Sequence, residues 1–112
     1  MSPTRLIETR PGRFSLLLDA GTTDVDDVIL QLGHEPNGYF WEGVAQLLVS
    51  TEAPALQERL SYDPEGGMFC AYGEDRRALE ALAALIDAVA ASSDRLRQLV
   101  ALAKANGFEF DD

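Results

Sequence analysis

Cysteine, histidine and long hydrophobic runs are scarce in this 112-residue chain, and each shortage removes a class of structure. Cys70 is the only cysteine, so no internal disulfide can form and a reducing, cytoplasmic location is expected. One histidine, His34, and one cysteine cannot complete a zinc site of Cys and His ligands. The most apolar segment, 78–91, contains Glu80 and Asp87 and is too short and too polar to cross a bilayer.

Basic residues are few as well, and their positions are uneven. Nine Lys and Arg residues oppose nineteen Asp and Glu residues, which gives a net charge of -10, and no base lies between Phe14 and Glu58. This charge repels nucleic acids and anionic membranes, so neither is expected as a partner, whereas a basic protein would be attracted. The acidic stretch indicates either simple solubility or electrostatic recognition. Its acids are Asp19, Asp24, Asp26, Asp27, Glu35, Glu42, Glu52 and Glu58.

The overall composition is that of an ordinary globular protein. Hydrophobic residues make up 46% and charged residues 25% of the chain. The length is enough to bury a hydrophobic core without disulfides or metals, and it predicts a single domain over residues 1–112. No basic segment precedes an apolar run near the N-terminus, so no signal peptide is expected.

The first half of the chain predicts a hairpin followed by two helices. Short apolar runs flank a Pro11-Gly12 turn, which favours two strands. Apolar residues then recur at helical spacing, with Thr23 or Asp24 as the N-cap of the first helix and acids in its first turn. The predicted elements are strands at 5–9 and 13–19 and helices at 24–32 and 39–49.

The second half repeats this order of elements. Two short runs flank the turn-rich segment 63–67 and favour a second hairpin. Asp75 is then expected to cap one helix, and the segment Ser92-Ser93-Asp94 to interrupt it and cap the next. The alternation of Phe108-Glu109-Phe110 predicts a short strand or a docked tail. The predicted elements are a helical turn at 53–59, strands at 60–62 and 68–72, and helices at 75–91 and 94–105. The order ββααββαα favours an α+β fold, with an antiparallel sheet of about four strands and the helices packed on one face.

Catalytic and metal-dependent functions find little support in these residues, so the chain is predicted not to be an enzyme and to need no cofactor. A nucleophilic triad would have to converge on the single histidine, and Cys70 lies in the middle of a predicted strand. The Asp24-x-Asp26-Asp27 segment lacks the glycine and the distal glutamate of a calcium loop. These acids are better interpreted as a favourably charged helix N-terminus.

Three consecutive aromatic residues distinguish the segment 38–43. Successive positions on a helix point about 100° apart, so Tyr39, Phe40 and Trp41 cannot all enter one core. Phe40 falls on the apolar stripe, Trp41 at its edge, and Tyr39 points away with Gly43. At least one ring is therefore expected to be partly exposed among acids, which is typical of a protein interface. The alternative is that Phe40 and Trp41 belong to the core and Tyr39 is an incidental surface ring. Gly43 inside the helix is expected to permit close packing.

These motifs resemble a known family. The segments His-Glu-Pro-Asn-Gly-Tyr-Phe-Trp-Glu-Gly at 34–43 and Asp-Pro-Glu-Gly-Gly-Met-Phe-Cys-Ala-Tyr at 63–72 resemble immunity protein family fifty-one of bacterial polymorphic toxin systems. The resemblance extends over about residues 14–91. It implies an α+β protein that neutralises a cognate toxin in the cytoplasm of the producing cell, and it supplies no catalytic residues.

The function predicted from residues and resemblance together is neutralisation of a toxin by direct stoichiometric binding. An acidic surface with exposed aromatic rings suits a basic toxin domain, because complementary charge speeds the encounter and buried rings slow dissociation. The predicted contact residues are Asp24, Asp26, Asp27, Glu35, Tyr39, Trp41 and Glu42.

Two other functions remain open at this point. A self-associating regulatory or structural module would use the small-residue face of the third long helix, and a homodimer is then expected. That face contains Ala78, Ala81, Leu85 and Ala88. A small carboxylate-dependent hydrolase or isomerase would require one deep pocket that holds His34, Glu35 and Glu42 together.

Overall fold

The computed structural model describes residues 2–112, and the helices and strands follow one another in the predicted order, which confirms ββααββαα. A 3₁₀ helix stands between the second helix and the third strand. The elements are β1 (Thr4–Arg10), β2 (Arg13–Asp19), α1 (Asp26–Gln31), α2 (Gly38–Glu52), the 3₁₀ helix (Pro54–Arg59), β3 (Ser61–Tyr62), β4 (Met68–Gly73), α3 (Arg76–Ala90) and α4 (Ser93–Ala105).

The four strands form one antiparallel sheet in the order β1-β2-β4-β3, so the two predicted hairpins are joined by pairing of β2 with β4. In this register Leu16 lies opposite Ala71 and Leu18 opposite Phe69. Side chains alternate along a strand, so these four residues share one face, and each is fully buried. Helices α2 and α3 pack on the sheet, while Ile7 on the opposite face is 42% exposed. The predicted α+β fold is confirmed.

Side-chain caps explain where several helices begin. The Asn37 side chain accepts a hydrogen bond from the Phe40 amide at 2.9 Å, so α2 begins at Gly38. Asp75 accepts from the Ala78 amide at 3.1 Å, as predicted for α3. These oxygens satisfy amides that have no partner within the helix.

The starts of α1 and α4 differ from the predicted ones in opposite directions. Helix α1 begins at Asp26 and has no side-chain cap; the Thr23 hydroxyl donates to the Asp26 carboxylate at 2.7 Å and accepts no hydrogen bond from an amide of the helix. Helix α4 begins at Ser93, one residue before the predicted start, and Ser92 of the predicted capping segment accepts a hydrogen bond from the Arg95 amide. Both shifts are within two residues of the predicted start.

Residues 108–112, called the tail below, form no helix or strand and dock on the outer face of α2. The Phe110 ring stacks on Phe40, with ring centres 4.8 Å apart. A Cβ at Gly43 would overlap the Phe110 ring and lie 3.4 Å from the Phe108 ring. Gly43 therefore permits the close packing that the sequence predicted, and the tail is the element that needs it.

Helix α2 lies in the middle of the hydrophobic core. Phe40, Trp41, Val44 and Leu48 are fully buried, and they belong to one cluster with residues of the sheet, α3 and α4. Most of the circumference of α2 is therefore covered, and its remaining outward face is where the tail crosses.

Candidate protein-binding surface

The two aromatic residues that were predicted as anchors have different environments. Tyr39 is 39% exposed, which confirms that at least one ring of the aromatic segment reaches the surface. Trp41 has no exposed surface, and its indole Nε1 has no hydrogen-bond partner within residues 2–112. The expectation that Trp41 contacts a partner does not agree with this placement, because an enclosed ring offers no atoms to another protein. Trp41 therefore lies within the apolar stripe of α2 and not at the edge of that stripe.

The tail holds the loop between α1 and α2. The Asp112 carboxylate accepts a hydrogen bond from the Glu35 amide at 2.8 Å and lies 3.0 Å from His34 Nδ1. The Asn37 amide group donates to the Asp112 carbonyl oxygen at 3.4 Å. The His34 ring also packs edge-on against Phe110, with ring centres 4.9 Å apart. His34 is therefore a half-buried structural residue that fastens the tail to the loop.

The same docking brings acidic side chains together beside Tyr39. Burial and the neighbouring charge of Asp111 raise the pKa of the Glu42 carboxyl above its ordinary value. Glu42 lies three residues after Tyr39 on α2, which places the two side chains next to each other. Within residues 2–112, neither Glu35, Glu42 nor Asp111 forms an ion pair with a basic residue. We call Glu35, Tyr39, Glu42 and Asp111 the acidic surface.

Three of the predicted contact residues lie at the start of α1. They are Asp24, Asp26 and Asp27, and Asp24 lines a shallow groove with Ala90 and Ala91 at the end of α3. Along the chain the predicted residues fall into two groups, one at the start of α1 and one after its end. Their use as one contact surface stays a prediction.

A groove adjoins the acidic surface along α2. It lies between α2, the 3₁₀ helix, β3 and the tail, and its volume is about 360 Å³. Tyr39, Gln46 and Ser50 are spaced by seven and four residues, so they lie on the same face of α2. We call this depression the α2 groove, and it is lined by Gln46, Val49, Ser50, Gln57, Tyr62 and Phe108.

Sequence reasoning missed the tail acids and the α2 groove. Asp111 and Phe108 follow the last predicted helix, and their alternating pattern was interpreted only as a strand or a docked tail. The available signal was Gly43, because a glycine on an exposed helix face indicates that another segment approaches closely. The sequence alone did not identify that segment.

The residues of the alternative enzymatic function do not share one pocket. The cavity that His34 lines contains Lys104, Phe108 and Phe110 but neither Glu35 nor Glu42. In the described part of the chain, no three His, Cys, Asp or Glu side chains are grouped closely enough to hold a metal ion. None of the described helices has the length and hydrophobicity to cross a membrane.

The small-residue face of α3 is only partly free. Ala78 is buried, and Leu85 packs against the core. Ala81 and Ala88 are exposed. The predicted homodimer remains a prediction.

Comparison with known proteins identifies a family. Neither the curated proteins nor the solved structures contain a match to this chain. The family model described as Immunity protein 51 matches residues 5–105, a range that includes the aromatic segment 38–43 and strand β4. This range is wider than the resemblance noted in the sequence, and the tail lies beyond it. The chain therefore belongs to the Immunity protein 51 family.

Proposed function

We propose that this protein neutralises a cognate bacterial toxin by binding it stoichiometrically in the cytoplasm of the producing cell, without catalysis. The observation that carries the proposal is the family match over residues 5–105. The acidic surface supports a binding role, because it combines an exposed aromatic ring with carboxylates that pair with no basic residue among residues 2–112. Such a surface favours a basic partner.

The contact region is centred on the acidic surface. Tyr39 is the proposed anchor, and Glu35 and Glu42 bind cationic groups of the toxin. Trp41 contributes from beneath by fixing the position of α2. Asp24, Asp26 and Asp27 extend the contact only if the toxin also covers the start of α1.

The function is tested by expressing the toxin encoded beside this protein's gene, with and without the protein, in a sensitive host. We expect growth to be restored, and purified toxin and protein to form a complex of fixed stoichiometry by size-exclusion chromatography with light scattering. Continued growth arrest, together with no complex at micromolar concentration, would sink the proposal.

The anchor role of Tyr39 gives a first mutational prediction. Exposed aromatic residues at interface centres commonly contribute about 2 kcal/mol or more, so Tyr39→Ala is expected to raise the dissociation constant at least roughly tenfold. Leu102→Ala is a matched control, because Leu102 on α4 is also 39% exposed. Both variants are measured by calorimetric titration with the toxin. Equal affinities of the two variants would show that Tyr39 is an incidental surface ring.

A further inference from the structure

The α2 groove is a distinct feature of the acidic surface. Val49 and the rings of Tyr62 and Phe108 supply apolar lining, while Gln46 and Ser50 lie exposed at its rim. The groove volume of about 360 Å³ is large enough to receive a bulky side chain from another polypeptide. Apolar pockets with a polar rim are typical positions for interface anchors.

The charge beside the groove restricts what can occupy it. Glu42 directly precedes Gly43, whose Cβ position lies 3.4 Å from the Phe108 ring of the groove wall, so Glu42 is next to the groove. In agreement with this position, burial and the charge of Glu42 raise the pKa of Tyr62 to about 12. Asp111 is the neighbour whose charge acts on Glu42 in turn. Two carboxylates that form no ion pair in the described part of the chain thus lie next to the α2 groove, and an arriving cation would relieve their repulsion.

We infer that the α2 groove receives a large apolar side chain from a basic segment of the toxin, and that Glu42 and Asp111 bind an Arg or Lys next to that side chain. This inference rests on the proposed function and names the contact that the toxin makes. The tail contributes the Phe108 wall and the Asp111 carboxylate, and it lies outside the residues matched by the family model. Part of the toxin contact is therefore built from residues beyond the family's matched region.

Filling the groove tests its occupancy. Gln46→Trp places an indole in the groove, whereas Gln98→Trp makes the same change at an exposed position of α4. With the purified toxin domain encoded beside this gene as the probe, Gln46→Trp is expected to weaken binding at least tenfold and Gln98→Trp to leave it unchanged. Thermal unfolding of both variants checks that the fold is intact.

A charge variant gives an independent readout. Glu42→Gln is expected to weaken binding several-fold without destabilising the protein at neutral pH, because it removes a carboxylate whose ionised form the fold disfavours. Glu80→Gln is the control, since Glu80 on α3 is paired with Arg76. If the unmodified protein binds the toxin while Gln46→Trp and Glu42→Gln bind equally well, the groove inference is wrong and the proposed function survives. If the unmodified protein does not bind, both fail.

Discussion

At the scale of single residues, two glycines of one helix have different tasks. The Gly38 amide donates to the Gly66 carbonyl at 3.1 Å, and a Cβ on Gly38 would overlap the carbonyl oxygens of Glu65 and Met68. Both oxygens belong to the backbone and cannot move aside. Gly43 instead faces the Phe110 ring, which belongs to a docked tail. Gly38 thus fixes α2 against the second hairpin, and Gly43 admits the tail.

The Gly43 contact predicts a coupling between two substitutions. Overpacking typically costs about 1–3 kcal/mol, which offsets or exceeds the helix preference for Ala over Gly. In the presence of Phe110, Gly43→Ala should therefore lower the free energy of unfolding or change it only slightly. In a Phe110→Ala background the clash is gone, and Ala should be favoured over Gly by up to about 1 kcal/mol in the helix. Urea unfolding of the four proteins measures the difference. Additive effects would contradict the proposed contact.

At the scale of elements, the tail is held by contacts to residues far away in the sequence. It has no backbone ladder of its own, and it is fixed by the rings of Phe108 and Phe110 and by the bonds of Asp112 to the α1–α2 loop. These contacts make the loop, the start of α2 and the tail one unit. The shape of the acidic surface therefore depends on the tail remaining docked.

The two terminal aspartates are predicted to have opposite effects on this unit. Asp112→Asn weakens the bonds to His34 and to the Glu35 amide, so it should lower the free energy of unfolding by about 1–3 kcal/mol. Asp111→Asn makes the same change of charge but removes a repulsion with Glu42, so stability should stay constant or rise. Chemical denaturation, with hydrogen exchange of the Glu35 amide, distinguishes the two. Equal destabilisation by both variants would contradict the docking described above.

At the scale of the whole molecule, the distribution of ion pairs determines where negative charge is left over. Arg5, Arg59, Arg76 and Arg95 pair with acids on the sheet, at the start of α3 and at the end of α2. The acidic surface receives none of these cations. The carboxylates where the partner is proposed to bind therefore contribute to the net charge of -10 without an ion pair to a basic residue among residues 2–112.

This distribution predicts that salt affects association more than dissociation. The Debye length falls from about 10 Å at 0.1 M ionic strength to about 3 Å at 1 M, which screens long-range attraction to a basic toxin. The association rate constant should fall roughly tenfold or more over that range, whereas the dissociation rate should change little because the anchor contacts are buried. Stopped-flow fluorescence measures both rates. An association rate independent of salt would contradict electrostatic attraction.

Prediction from sequence succeeded where the controlling interactions are local. The Asp75 cap acts three residues along the chain, and the apolar spacing of α3 repeats within the helix, so both were predicted. The prediction that Trp41 lies at the edge of the apolar stripe and contacts a partner was wrong. Helical spacing within α2 does not show which other elements enclose a residue. The role of the tail was ambiguous, because the residue that receives Phe110 is Gly43, which is far away in the sequence.

The sequence by itself determined the types and order of the elements, the surplus of acids and the family. Periodicity and caps depend on residues a few positions apart, and composition is a property of the whole chain. None of the three requires knowledge of which distant residues are in contact. Only the tertiary structure decided that the charge of Asp111 acts on Glu42, that Trp41 is enclosed and that Phe110 stacks on Phe40. The physical reason is that side chains distant in sequence become neighbours only when packing of the core fixes the helices, the sheet and the tail relative to one another.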